Sequence, residues 1–135
     1  MSSQVKNEQT GKIQFEDVID RVMTHVRARK WDETNTGRGL AISIALEASE
    51  LLEYYQWNEE NFGSKDDLAS EVADILIYLI QFADKNKIDI LPEVLKKLEK
   101  TAKKYPLEIF DIEDEAERDR AWLEAKRKYK KDTTL

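Results

Sequence analysis

Apolar residues recur along this chain at intervals of three and four, the period of a helix packed on one side, and no stretch alternates as a half-buried strand would. Phe15, Val18, Ile19, Val22 and Val26 mark a first helix over about 15–30, with Glu16 and Asp17 in the turn where negative charge suits the helix dipole. A second pattern runs over about 40–57. A third covers about 65–84 behind Ser64, an N-cap residue with Asp67 three positions on, as a capping box requires. A fourth covers about 90–104. There Asp89 stands at the cap, and Pro92 falls in the first turn, where its missing amide has no intrahelical partner. Tyr105-Pro106 ends it, because the residue before a proline is pushed out of helical geometry. Between the helices, Trp31 to Gly39 reads as a loop and Asn58 to Gly63 as a turn. With four glycines and two prolines in all, the pattern predicts an all-α fold with a four-helix-bundle-like core.

The ends differ from this core. Residues 1–12 are polar and predict a flexible arm, leaving 13–106 as the domain proper. From 107 to 135 an acidic stretch (Asp111, Glu113, Asp114, Glu115, Glu117) leads into a basic one (Lys126, Arg127, Lys128, Lys130, Lys131), the order a helix dipole favours. Trp122, Ala125 and Tyr129 give this charged helical extension a narrow apolar stripe, suited either to packing on the body or to lying in solvent. In the third helix, Ile75 to Ile80 is apolar all round and predicts an enclosed segment. One small chain supplies little cover for it, so an oligomer is expected.

Composition narrows the chemistry. At 135 residues the chain suits one domain, and 41% hydrophobic residues suffice for a modest core. A net charge of −6 disfavours binding to nucleic acid, which needs a positive field. The absence of cysteine excludes disulfides and thiolate metal sites. No segment has the length and apolarity of a signal peptide or a membrane span, so a cytoplasmic protein is expected.

The candidate chemistry lies on the second and third helices. Glu47 and Glu50 form one acidic pair at a spacing of three, and Glu71 and Asp74 form another. That spacing puts both acids of a pair on one helical face. If the helices run antiparallel, the pairs converge into an all-oxygen site fit for a hard cation such as magnesium, or manganese. Such pairs are also common on solvated helices. Here, however, none of the four acids has a basic residue three or four positions away, whereas Glu93 has Lys96 and Lys97. Clustered carboxylates beside an enclosed run need cations or raised pKa values to persist.

The string Leu46 to Glu53, Tyr55-Gln56-Trp57, Glu71 to Leu79, Lys97 and Lys103 to Pro106, together with Trp31, resembles the all-α nucleoside triphosphate pyrophosphohydrolases of the MazG-like superfamily, closest to the dCTP pyrophosphatase branch. The resemblance spans Trp31 to Pro106. It implies magnesium held by Glu47, Glu50, Glu71 and Asp74, and water attacking the α-phosphorus of a pyrimidine deoxynucleoside triphosphate to release the monophosphate and diphosphate. It further implies phosphate contacts from Arg38, Lys97 and Lys104, with Lys103 a weaker candidate, and base-pocket aromatics at Trp31, Trp57 and Tyr78. It also implies assembly as a homodimer or homotetramer. Glu47 and Glu50, and less so Glu53, are candidates to accept the proton of the attacking water.

Two positions depart from the branch: Thr101 and Gly39 stand where asparagines are usual. Thr101 can still donate one hydrogen bond to a substrate but lacks an amide's two-sided contact. These departures leave open a related specificity, for dUTP and dUDP or for damaged nucleotides. A non-catalytic helical interaction module predicts damaged acid pairs, and all four acids are present. His25 has no partner motif and reads as a structural or surface residue.

Overall fold

The computed structural model describes residues 11–57, 59–60 and 63–132, and every regular element among them is helical. The expected arm therefore lies almost wholly outside the described residues, as do parts of the Asn58–Gly63 turn and the last three residues of the extension. The described residues fall into two compact units, one ending at Ile88 and the other beginning at Asp89.

The first unit holds α1 (Phe15–Ala28), α2 (Trp31–Thr34), α3 (Gly37–Glu53) and α4 (Lys65–Lys85). α3 and α4 pack along each other, α1 packs on α4, and α2 packs on α1. The core sits between α1 and α4, where Met23, Val26 and Ile80 are buried with Val18, Ile19, Val22 and Leu76 against them. The helical spacing of the sequence had placed Val18, Ile19, Val22 and Val26 on the inward stripe of the first helix, together with Phe15, which is 44% exposed, and had left out Met23. Ser64 and Asp67 form the reciprocal capping box at the start of α4: the Ser64 amide donates to Asp67 Oδ2 at 2.8 Å and the Asp67 amide to Ser64 Oγ at 3.1 Å.

Three local features differ from the sequence pattern. α1 stops at Ala28, because Lys30 takes a left-handed conformation (φ 57°) that turns the chain into α2. With α3 beginning at Gly37, seven of the nine residues from Trp31 to Gly39 that were expected to be a loop are helical. α3 starts at Gly37, earlier than the apolar pattern showed, because the Thr36 hydroxyl accepts from the Gly39 amide at 3.0 Å and caps the orphan end. It also ends earlier, at Glu53, where Tyr55 and Gln56 turn back onto Leu52 and Glu53, so Trp57 is not helical. Finally, the Ile75–Ile80 run is not enclosed within this chain. Only Ile80 is buried, and Ile77 and Leu79 are 38% and 37% exposed, since α1 and α3 supply most of the packing on α4 within the first unit and leave part of its circumference uncovered.

The end of α4 is tied to the last turn of α1 and to the segment joining α1 and α3. Arg27 pairs with Asp84 at 3.0 Å, Lys85 Nζ donates to the Asp32 carbonyl at 3.1 Å, and Asn35 Nδ2 donates to Gln81 Oε1 at 3.2 Å. The first of these is exposed and contributes little by itself. Together they anchor α2 beside the last two turns of α4.

The second unit comprises α5 (Ile90–Lys104), a 3-10 turn at Leu107–Ile109 and α6 (Glu115–Asp132). Asp89 occupies the N-cap position of α5 but its side chain makes no capping hydrogen bond, and Tyr105 ends the helix ahead of Pro106. Asp114 caps α6 by accepting from the Glu117 amide at 2.7 Å. The apolar stripe of α6 packs on this unit's own helix end: Trp122 stacks on Tyr105 with centroids 5.8 Å apart and planes 9° from parallel. No helix of the described residues is long and apolar enough to cross a membrane.

Candidate metal centre and adjoining pocket

α3 and α4 bring the acidic pairs together. Ligand oxygens of Glu47, Glu71 and Asp74 all lie within 4.8 Å of one another, and all three residues are half-buried. Ser43, one turn before Glu47, shares a cavity with Tyr78 and Gln81, one and two turns after Asp74. Tyr54, beyond Glu50, lies in the field of Asp67 and Glu71. Rising numbers on α3 thus meet falling numbers on α4, which is the antiparallel register that convergence of the pairs required. Glu50 lies outside the triplet, on the exposed side, yet its carboxyl is in close contact with those of Glu47 and Glu71.

The electrostatics are those of a site short of positive charge. The Glu47 carboxyl is pushed above its ordinary value of 4.5, first by burial, then by contact with Glu50 and the charges of Asp74 and Glu71. Glu71 is pushed up in the same way, by burial first and Glu50 next. Among the described residues none of the four acids is ion-paired, while Glu93, the surface acid chosen for contrast, pairs with Lys96 at 2.9 Å. Glu47 Oε2 and Glu71 Oε2 are both buried without a hydrogen-bond partner. Buried carboxylate oxygens are ordinarily satisfied, so two orphans side by side mark acceptor capacity turned toward something else. An all-oxygen, all-anionic donor set of this kind fits a hard divalent cation.

Tyr54 follows from the same arrangement and was missed in the sequence. Its hydroxyl is pushed above 10.0, by burial first and then by Asp67, Glu71, Glu50 and Glu53. Its ring lies against Gly63, where an added Cβ would stand 2.6 Å from Cδ1, so only glycine leaves room for it.

Asp74 also lines a cavity of about 360 Å³, together with Trp31, Asn35, Gly39, Ser43, Ile77, Tyr78 and Gln81. The volume is in the range of small-molecule pockets. Of the expected base-pocket aromatics, Trp31 and Tyr78 line this cavity. Trp57 does not, and it is 83% exposed beyond the end of α3. Trp31 is held from outside by His25, edge-on with centroids 5.8 Å apart, and by the Arg29 guanidinium, 5.7 Å from its ring centre. His25 is thus a structural residue, as expected of a histidine without a partner motif.

Asn35, Ser43 and Gln81 escaped the sequence reading. A signal for Gln81 was present. Asp74, Tyr78 and Gln81 follow at intervals of four and three, one helical face, and Gln81 is the polar interruption between Ile80 and Phe82. Arg38 is exposed in the first turn of α3. Lys97, Thr101 and Lys104 belong to the second unit. There the Thr101 hydroxyl donates to the Lys97 carbonyl at 2.9 Å, and Lys104 Nζ sits 5.0 Å and 4.6 Å from the ring centres of Tyr105 and Tyr129. Lys103 lies in the same helix and is exposed.

The chain is similar to dCTP pyrophosphatase 1 of Bos taurus, 30% identical over 89 residues that make up 60% of this chain and 53% of that protein. The corresponding human protein is 28% identical over 86 residues, 58% of this chain and 51% of the relative. The chain therefore spans about half the length of the curated relatives it matches. Among solved structures it is similar to a pyrophosphatase from Archaeoglobus fulgidus, with a TM-score of 0.60 and 31% identity, covering 73% of this chain and 97% of that one. The family model described as MazG-like matches residues 42–118, which include both acidic pairs, and the chain belongs to the MazG-like family.

Proposed function

We propose that this chain is a magnesium-dependent nucleoside triphosphate pyrophosphohydrolase, converting a pyrimidine deoxynucleoside triphosphate, dCTP or a close relative, to the monophosphate and diphosphate. The observation that carries the reading is the joining of two features through Asp74. A carboxylate cluster with two orphaned buried oxygens adjoins a cavity lined by two aromatic rings and two amides.

Glu47, Glu71 and Asp74 would hold the ion, and Glu50, in contact with two of them, would complete the set. Magnesium there would supply charge neutralisation for the triphosphate and polarise the attacking water. The chain's own contribution is positional. α3 and α4 fix the carboxylates from two rigid helices, and Asp74 sits where cluster and cavity meet, so a base in the cavity leaves its phosphates directed at the acids. Trp31 and Tyr78 offer flat faces for a base. The names of the curated relatives and of the solved neighbour support the same reaction class. A non-catalytic module would have no need to keep two buried, unpartnered carboxylate oxygens. We further propose a homodimer or homotetramer, because Ile42, Leu46 and Leu52 on α3 and Val72 on α4 are all at least half exposed. The acidic, cysteine-free composition suits a cytoplasmic enzyme without nucleic-acid partners.

The test is diphosphate release from a panel of ribo- and deoxyribonucleoside triphosphates with and without magnesium. Magnesium-dependent turnover favouring a pyrimidine is the expected result. Folded protein that turns over none of the panel overturns the proposal. Glu71→Gln and Asp74→Asn should each abolish turnover with helicity intact, and full activity in either would refute the ligand assignment.

A further inference from the structure

Gln81 is 5% exposed on a helix whose neighbouring positions are apolar, and it lines the same cavity as Trp31. Its Oε1 accepts from Asn35 Nδ2 at 3.2 Å, and Asn35 lines the same cavity. An amide carries two N–H donors and two acceptor lone pairs. After this single bond, both Gln81 N–H groups and the Asn35 carbonyl oxygen are left with no other partner among the described residues. Neither group is shut off from solvent, so the open Gln81 donors and the Asn35 oxygen are reached through the cavity, and a polar ligand entering it can take them in place of water. With its oxygen held by Asn35, what Gln81 has to offer is its N–H groups, and what Asn35 has to offer is its oxygen.

We infer that the Asn35–Gln81 amide pair reads the base edge of the substrate, with Gln81 Nε2 donating to a ring or carbonyl acceptor and Asn35 Oδ1 accepting an N–H. This rests on the reading of the cavity as the nucleotide site, and it adds which residues set specificity. The matching ligand is a pyrimidine whose edge carries a donor next to an acceptor, stacked between Trp31 and Tyr78. Stacking tolerates any base, so the amides are what discriminates among them. The Asn35–Gln81 bond couples them: each holds the other's rotamer, and neither reads the edge correctly alone.

The experiment is kcat/KM for dCTP and dUTP with magnesium, measured for the wild type, Gln81→Met, Gln81→Glu and Asn35→Ala. Methionine keeps the volume and removes both donors. Glutamate keeps the acceptor for Asn35 and removes the donors, which guards against a packing effect of methionine. A site built to hydrogen-bond its ligand loses at least about tenfold when that bond is removed. The preferred substrate should therefore lose about tenfold or more in both Gln81 variants, the other substrate less, and the ratio of the two should move toward one. Asn35→Ala should collapse the same ratio, and adding Gln81→Met to it should change the ratio little further. An active wild type that does not distinguish the two bases, or Gln81 variants with the wild-type ratio, overturns the inference while leaving the proposed reaction standing. A wild type that turns over no triphosphate removes the reaction and this inference with it.

Discussion

Magnesium should stabilise this protein by an amount that grows as pH rises, and the carboxylate cluster dictates the sign. The Glu47 and Glu71 carboxyls sit above their ordinary value of 4.5 in the folded chain, by burial and then by Glu50. Between the ordinary and the raised values the native state binds more protons than the unfolded state. Its stability therefore falls as pH rises through that window. Below the ordinary value the acids are protonated in both states and impose no penalty. Above the raised values they are ionised in both, and the native state carries the full repulsion. A cation that binds only the native, deprotonated cluster reverses this. At a hundredfold excess over its dissociation constant a ligand adds about 2.7 kcal/mol, which for a chain of this size raises the melting midpoint by roughly 10 °C. The assay is thermal unfolding followed by circular dichroism, with magnesium and with chelator, at pH 5 and pH 7.5. The metal-induced rise should be larger at pH 7.5. Glu71→Gln should melt higher than the wild type without metal at that pH, because it removes a repelling charge, and should lose most of the metal-induced rise. An equal shift at both pH values, or a Glu71→Gln protein that still gains the full rise, would refute the argument.

Other consequences can be checked singly. Ile80→Ala empties the centre of the α1–α4 core, where Ile80 is 2% exposed, and should cost about 3 kcal/mol in urea unfolding, against about 1 for Ile80→Val. Trp31→Ala should raise KM more than it lowers kcat, since the ring lines the pocket and carries no group of the acidic cluster, while Trp57→Ala should leave KM near wild type. Gly63→Ala forces the Tyr54 ring away, because the new Cβ would stand 2.6 Å from it. The variant should lower magnesium affinity in calorimetric titration without changing helix content.

What the sequence made legible follows from which forces are local. Capping is local, so the Ser64–Asp67 box and the stop at Pro106 could be read directly. The inward stripe of α1 repeats with helical period, and it is the face that packs on α4. The acids could be read because their spacing and their lack of basic neighbours are both properties of single helices. Their convergence needed only an antiparallel pair. The start of α3 was obscured because Gly37 and Gly39 argue against a helix by propensity, and one hydroxyl bond from Thr36 outweighs them. The cavity was harder to see, because Asn35 and Gln81 are 46 positions apart and meet only once α2 is anchored beside α4. Trp57 was misplaced for the opposite reason. A helical pattern carried it four residues past Glu53, where the helix ends.

Asp74 is where these levels meet. On α4 it lies one turn after Glu71 and one turn before Tyr78, so the helix itself sets a carboxylate between the cluster and the pocket. Gln81 lies a further turn along the same face, beyond Tyr78. One face of one helix thus runs in order from charge, through a stacking ring, to a hydrogen-bonding amide. On the proposed reading the polyphosphate lies at the acids and the base beside the stacking ring and the amide, with the sugar spanning the step from Asp74 to Tyr78. α3 repeats the order in reverse, with Glu50 and Glu47 followed by Ser43 and Gly39 toward its start. Gly39 lines the cavity and brings no side chain into it, where a Cβ would crowd the Thr36 cap at 3.1 Å. Ser43, one turn further along α3, is that helix's side chain in the cavity, and on the proposed reading Asn35 and Gln81 are the amides left to select the base.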